Sequence, residues 1–165
     1  MFTSDFSVGD LEQGLKPLFL LWHGAMDGTN YPSLSKLGLP NTEFTPDILS
    51  IYEIERDACR QVSDFKALYA RSKDCKTLRN KFVGTRLSQH EGFGPESMVW
   101  TAFAELAADP RPLLVTLPYV GPLSDYQSTA EIYLPLQGER VDVQYILVGV
   151  ELLERAFSPE ISNPH

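Results

Sequence analysis

The chain is poor in the residues that most often name a chemistry. It holds two cysteines, Cys59 and Cys75, which stand 16 positions apart with no Cys-x-x-Cys pair. A structural zinc needs four clustered ligands, so that class is excluded; the spacing leaves a disulfide open, and two free thiols in a reducing cytosol are the expectation. Basic residues are in deficit: 14 Lys and Arg against 22 Asp and Glu give a net charge of -8. A nucleic-acid backbone or an anionic membrane surface would be repelled at long range, so neither is an expected partner. Long apolar runs are also missing. The apolar stretch nearest the start, Pro17 to Trp22, is far too short to span a bilayer, and no basic segment precedes an apolar core as in a signal peptide. A cytoplasmic protein is the expectation. No glycine-rich run follows a strand, so the lone Gly84-Thr85 pair does not read as a phosphate loop.

What is present is the composition of a globular domain: 165 residues, 43% hydrophobic and 22% charged, enough for one domain with a sizeable core. The stretch from Arg111 to Leu153 organises it. Three apolar runs rich in β-branched and aromatic residues are separated by Gly121-Pro122 and by Gln137-Gly138-Glu139. This punctuation predicts three consecutive antiparallel strands joined by turns.

Upstream, residues 1–8 are polar and read as a frayed tail. From Gly9, Leu11, Leu15, Leu18 and Trp22 recur at helical spacing, which predicts an amphipathic helix within residues 9–30. Pro17 inside that helix would cost about 3 kcal/mol, so a kink or a start near Pro17 is expected. The stripe packs either on the chain's own sheet or on a second copy. Thr45-Pro46-Asp47 combines an N-cap, a first-turn proline and an acid, predicting a helix from Pro46 to about Gln61. Phe65 to Arg71 then reads as a first strand, although Ala67, Leu68 and Ala70 favour helix by propensity. Leu78 to Leu87 reads as its hairpin partner. A helix from Pro95-Glu96 to Ala108 is apolar nearly all round, as a helix buried on more than one side would be. Residues 154–165, with Pro159 and Pro164, read as a loose tail.

Two strands, a helical segment and three further strands resemble the arrangement of a PAS domain. The residues that carry the resemblance are Trp22 closing the first helix, Pro32-Ser33 in the loop after it, and Phe82-Val83-Gly84-Thr85-Arg86-Leu87. Leu134-Pro135-Leu136 and Val141-Asp142 complete the set. The chain thus looks like the short, stand-alone PAS-like proteins of the alphaproteobacterial type. The resemblance implies an α+β fold: a PAS-like domain over 31–153, with a five-stranded antiparallel sheet, helices on one face and an N-terminal flanking helix that dimerises. It further implies a cavity between sheet and helices that receives a small molecule. Flavin and haem are not implied: neither cysteine lies in an Asn-Cys-Arg-Phe-Leu-Gln motif, and the helix before the last three strands has no histidine. The cofactor stays unknown.

Candidate ligand-binding residues are the aromatics of the central elements, Phe82, Trp100, Phe103, Tyr119, Tyr133 and Tyr145, with Arg86 and Arg111 at strand ends to grip a carboxylate. Most of these aromatics are expected to be plain core first. His90-Glu91 would point to opposite faces of a strand, while His23 and Asp27, four apart, would meet on a helix as a proton-transfer pair. Three readings follow. The first is a non-enzymatic PAS-like sensory or interaction module, homodimeric through its N-terminal helix and acting through a signalling partner. The second is a small cone-shaped hydratase or isomerase using His23 and Asp27. The third is a structural adaptor with a filled core.

Overall fold

The structure is a computed structural model that describes residues 1–39, 46–73, 81–120, 125–140 and 142–154. It is α+β. Six strands form one antiparallel sheet: β1 (Phe2–Thr3), β2 (Ile48–Arg56), β3 (Val62–Ser72), β4 (Leu113–Pro118), β5 (Tyr126–Gln137) and β6 (Val143–Glu154). The helices among the described residues are α1 (Lys16–Gly24), the single turn α2 (Leu34–Leu37) and α3 (Met98–Ala108). The spatial order is β1-β4-β5-β6-β2-β3. The last three strands lie side by side as their turn chemistry predicts, and β2 returns to pair with β6 on one side and β3 on the other.

Both faces of the sheet are covered. On one, α3 buries Ala102, Phe103 and Leu106 against Leu113, Val115, Tyr133, Ile146 and Val148. On the other, Leu15, Leu18 and Trp22 of the N-terminal segment lie against Leu49, Ile132, Leu134 and Leu147. Two expectations are corrected here. The sheet has six strands rather than five, because Phe2–Thr3, expected in a frayed tail, pairs with Val115 and Leu114 at the β4 edge. The helices flank two faces rather than one, because the stripe of α1 finds its apolar partner on the chain's own sheet.

Pro17 stands in the first turn of α1, where its missing N–H costs no hydrogen bond; the helix starts at Lys16, so of the two expectations the start near Pro17 holds and not the kink. Two contacts fix its far end. The Trp22 indole stacks on Tyr31 with ring centroids 5.9 Å apart, and its Nε1 donates to the Pro135 carbonyl at 2.9 Å. Pro135 is tolerated within β5 because pairing with β4 ends at Tyr133↔Leu113, so no ladder N–H is required there. The same side of β5 then receives Pro32, whose carbonyl accepts from the Gln137 N–H at 3.0 Å.

The helix predicted over Pro46–Gln61 is β2 instead. Leu49, Ser50 and Ile51 are all buried, because the strand sits between β6 and β3 with cover on both faces. The strand predicted at Phe65–Arg71 lies inside β3, where pairing with β2 overrides the helix propensity of its alanines. The strand predicted at Leu78–Leu87 falls partly on residues 74–80, outside the described residues. The described part, Lys81 to Leu87, is no strand: one isolated bridge, Lys66↔Arg86, and the backbone hydrogen bonds of Ala67 with Gly84 and Thr85 tie it to β3. Of the two cysteines, Cys59 is an exposed free thiol in the β2–β3 turn, and Cys75 lies outside the described residues. The loose tail expected at 154–165 also lies outside them from 155 onward.

Close contact between α1 and the sheet depends on Gly149 of β6. A Cβ there would stand 2.6 Å from Leu18 Cδ2 and 3.3 Å from both Ile132 Cγ2 and Leu15 Cδ2. Gly149→Val is expected to cost about 1–3 kcal/mol by overpacking. Leu18→Ala should recover part of that loss, so urea unfolding of the two single variants and the double variant should give less than the sum of the single losses. Strictly additive losses would contradict the contact.

Candidate functional site

A cavity of about 480 Å³ lies between the sheet and the N-terminal half of α3. Its floor is built from alternate residues of the central strands: Ser50 and Tyr52 on β2, Thr129, Glu131 and Tyr133 on β5, and Val148 and Val150 on β6. Its roof comes from Phe103 and Val99 of α3 and from Phe82, Leu87 and Phe93 in the preceding segment. That segment is pinned to β3. Thr85 O accepts from Ala67 N at 2.9 Å, Gly84 N donates to Ala67 O at 2.7 Å, and the Ser88 hydroxyl donates to the buried Asp64 carboxylate. Gly84, at φ 86°, makes the turn that brings it there.

The alternation of β5 sets the chemistry. Ala130, Ile132, Leu134 and Leu136 face α1, so Thr129, Glu131 and Tyr133 face the cavity. Glu131 stands opposite Val115 and Val150, which gives it no basic cross-strand partner. Its hydrogen bonds come from its own strand: Thr129 Oγ1 donates to Oε1 at 2.8 Å, and Tyr133 Oη donates to Oε2 at 2.6 Å. Burial pushes the Glu131 carboxyl above its ordinary range, while these two hydroxyls pull it part of the way back. Burial also pushes the Tyr133 phenol well up, and the Glu131 charge adds to it. Tyr52 is pushed up to about 12, by burial first and Glu131 second. Both phenols therefore remain protonated donors at neutral pH.

Of the eight candidate ligand-binding residues, the structure brings Phe82, Phe103, Tyr119 and Tyr133 to the cavity wall. Phe103 is the hub of the aromatic packing, with Tyr52, Phe65 and Tyr133 edge-on at 5.0, 5.2 and 4.9 Å. Trp100 packs edge-on against Phe65 at 5.1 Å, behind the wall, and Tyr145 belongs to the apolar layer on the α1 face. Neither arginine lines the cavity. Arg86 pairs with Glu55, Nε to Oε1 at 2.6 Å, and straps the rim segment to β2. Arg111 bridges Glu105 and Asp109 at 2.9 and 2.8 Å and ties the end of α3 to the start of β4. His23 is exposed on α1, across the sheet from the cavity, and Asp27 closes a turn with Asn30. His90 rests on the Phe82 ring at 4.6 Å and shares a 2.7 Å hydrogen bond with Thr85, while Glu91 is exposed at the cavity rim.

Sequence reading missed Glu131, Thr129, Tyr52 and Ser50. For the first two a signal exists: Thr129, Glu131 and Tyr133 recur with period two against Ala130, Ile132 and Leu134, a polar face inside an apolar strand. Tyr52 and Ser50 were hidden by the reading of β2 as helix. Among the described residues, no group of three or more His, Cys, Asp or Glu could hold a metal ion, and no helix is long and apolar enough to cross a membrane.

A second displaced carboxyl lies at the end of β6. Glu151 is raised from 4.5 to about 7, by burial first and then by its hydrogen bond and repulsion with Asp47, against the pull of Lys73. Asp47 Oδ2 meanwhile accepts from the Leu152 N–H at 2.9 Å. An acid raised on folding binds its proton more tightly in the folded chain. Its stabilising contribution is full below pH 4.5 and is lost as pH rises toward about 7. Glu151→Gln should therefore make the decline of unfolding free energy across that window shallower than in the parent chain. Identical slopes would contradict the assignment.

In comparisons with protein families, curated proteins and solved structures, nothing matches this chain.

Proposed function

We propose that this protein is a PAS-like, non-enzymatic sensory or interaction module that receives a small molecule in the cavity between α3 and the sheet and passes the event to a signalling partner. The observation that carries the reading is the cavity itself. At about 480 Å³ it falls within the size range of small-molecule sites, and its apolar walls hold a few convergent polar groups, the composition such sites have. The order of elements supports the PAS-like assignment: two long strands, a segment carrying α3 across one face, then three consecutive strands, the last of which returns to β2. A filled core would have favoured an adaptor.

The homodimer through the N-terminal helix belongs to the same proposal, on a different surface from the stripe. With Leu11, Leu15, Leu18 and Trp22 buried, α1 offers Leu20 and Leu21, 54% and 38% exposed, on its outer side.

The enzymatic reading has one observation in its favour, and it is not His23 with Asp27. Glu131, raised by burial and hydrogen-bonded to Tyr133, is a carboxyl fit to exchange a proton with a guest. Its hydrogen-bonded partner, the Tyr133 phenol, spends its proton on Glu131 itself, so the sensor reading stands first.

Native mass spectrometry of the freshly purified full chain tests the proposal. The expected species is a dimer carrying a small molecule that is released on denaturation, with Leu20→Glu/Leu21→Glu giving a monomer that keeps its guest. A bare monomer from the parent chain would argue against both the guest and the dimer.

A further inference from the structure

We propose that the guest is a cation: a protonated amine on a compact aromatic or apolar body, with its ammonium seated against Glu131. This rests on the reading of the cavity as a ligand site and names the chemical class the site selects.

The first argument is charge. Glu131 is the ionisable carboxyl on the cavity floor, and Glu91 adds a second acid at the rim. No Lys or His is among the described residues lining the space, and Arg71 is the one lining residue with a cationic side chain. Arg71 stands directly opposite Leu49 in the β2–β3 register, and directly opposed residues share a face. Leu49 belongs to the layer under α1, so the register places Arg71 on that face of β3 although it contributes to the lining, and it is not a cross-strand neighbour of Glu131. A carboxylate or phosphate guest at this floor would meet an acid with no basic residue opposite it on either neighbouring strand. An ammonium would supply the partner that Glu131 lacks across both neighbouring strands.

The second argument is hydrogen-bond direction. Thr129 and Tyr133 each spend their single hydroxyl proton on Glu131, one on each carboxylate oxygen. What remains around Glu131 is acceptor capacity on both carboxylate oxygens and on these two hydroxyl oxygens, while the Tyr52 phenol and the Ser50 hydroxyl add protons elsewhere on the floor. At the Glu131 end the complementary group is a donor, and an ammonium donates three times.

The third argument is the wall. Tyr52, Phe82, Phe93, Phe103, Tyr119 and Tyr133 all contribute to the lining. Aromatic faces attract a cation through their quadrupole, most strongly where water is excluded, and they stack on an aromatic body. An aromatic enclosure with one carboxylate at its base selects cations over neutral guests of the same shape.

Three probes sharing one ring test this on the full chain by isothermal titration: 2-phenylethylamine as the cation, 2-phenylethanol as its neutral counterpart, and 3-phenylpropionate as the anion. The amine is expected to bind about tenfold or more tightly than the alcohol, with no measurable binding of the acid. Glu131→Gln is expected to abolish the preference, and Glu131→Asp, which keeps the charge, to retain part of it. Equal or tighter binding of the alcohol or the acid by the parent chain would overturn the cation assignment and leave the ligand cavity standing. So would an amine preference that survives in Glu131→Gln, since it would come from the acidic surface. No binding of any probe by the parent chain would overturn the cavity reading as well. The parent chain alone discriminates the three probes, so the test does not depend on either variant folding.

Discussion

The rest of the molecule follows from one constraint: β5 and β6 are covered on both faces at once. From Ala130 to Leu136 nearly every β5 residue is buried, with even positions under α1 and odd positions under α3. Such a strand cannot turn its polar groups to water, so whatever polar chemistry it carries must be satisfied internally. The helices are placed accordingly. The segment between β3 and β4 lays α3 on one face while crossing to the far edge, and the N-terminal segment lays α1 on the other.

The polar floor of the cavity is the result on the α3 side. Glu131 occupies an inward position between two valines on the adjacent strands, and the groups that satisfy it are the i-2 and i+2 residues of its own strand. A charge so placed is poorly solvated by the protein and its pKa rises. Filling this space with apolar side chains would have removed that cost. The acid, the ring-lined wall and the pinned rim segment together bound the cavity. On the opposite face the same double coverage has a steric expression, since Leu18 approaches the backbone at Gly149 more closely than any Cβ would permit.

Legibility in the sequence followed how locally each feature is determined. Gly121-Pro122 and Gln137-Gly138 punctuate β4, β5 and β6, so that three-strand run could be read directly. The helix at Met98–Ala108 was likewise legible, but its apolar circumference overstated its cover: Ala102, Phe103, Leu106 and Ala107 are buried along one face, while Met98 and Thr101 are exposed. The stripe Leu11, Leu15, Leu18, Trp22 was readable as a stripe, but a period says nothing of what covers it, and the answer was the chain's own sheet. β2 was unreadable for the reason that makes it central. A strand buried on both faces loses the alternation that marks strands, and Pro46-Asp47 before it imitates a helix start. The two arginines were nominated for their positions near strand ends, yet Arg86 is held by Glu55, which only the folded chain brings into reach, and Arg111 by its near neighbours Glu105 and Asp109. Glu131 was missed because an isolated acid in an apolar run looks like a surface residue until the opposite face is known to be covered.

The central claim is that the Glu131 carboxyl is desolvated at the cavity floor with Tyr133 as its donor. A direct measurement is the titration of the Glu131 side-chain carboxyl carbon by NMR in ¹³C-labelled protein, in the parent chain and in Tyr133→Phe. The account predicts a midpoint above the ordinary 4.5 of a glutamate, rising further when the stabilising hydroxyl is removed. A midpoint at or below 4.5 in the parent chain, unmoved by Tyr133→Phe, would contradict it.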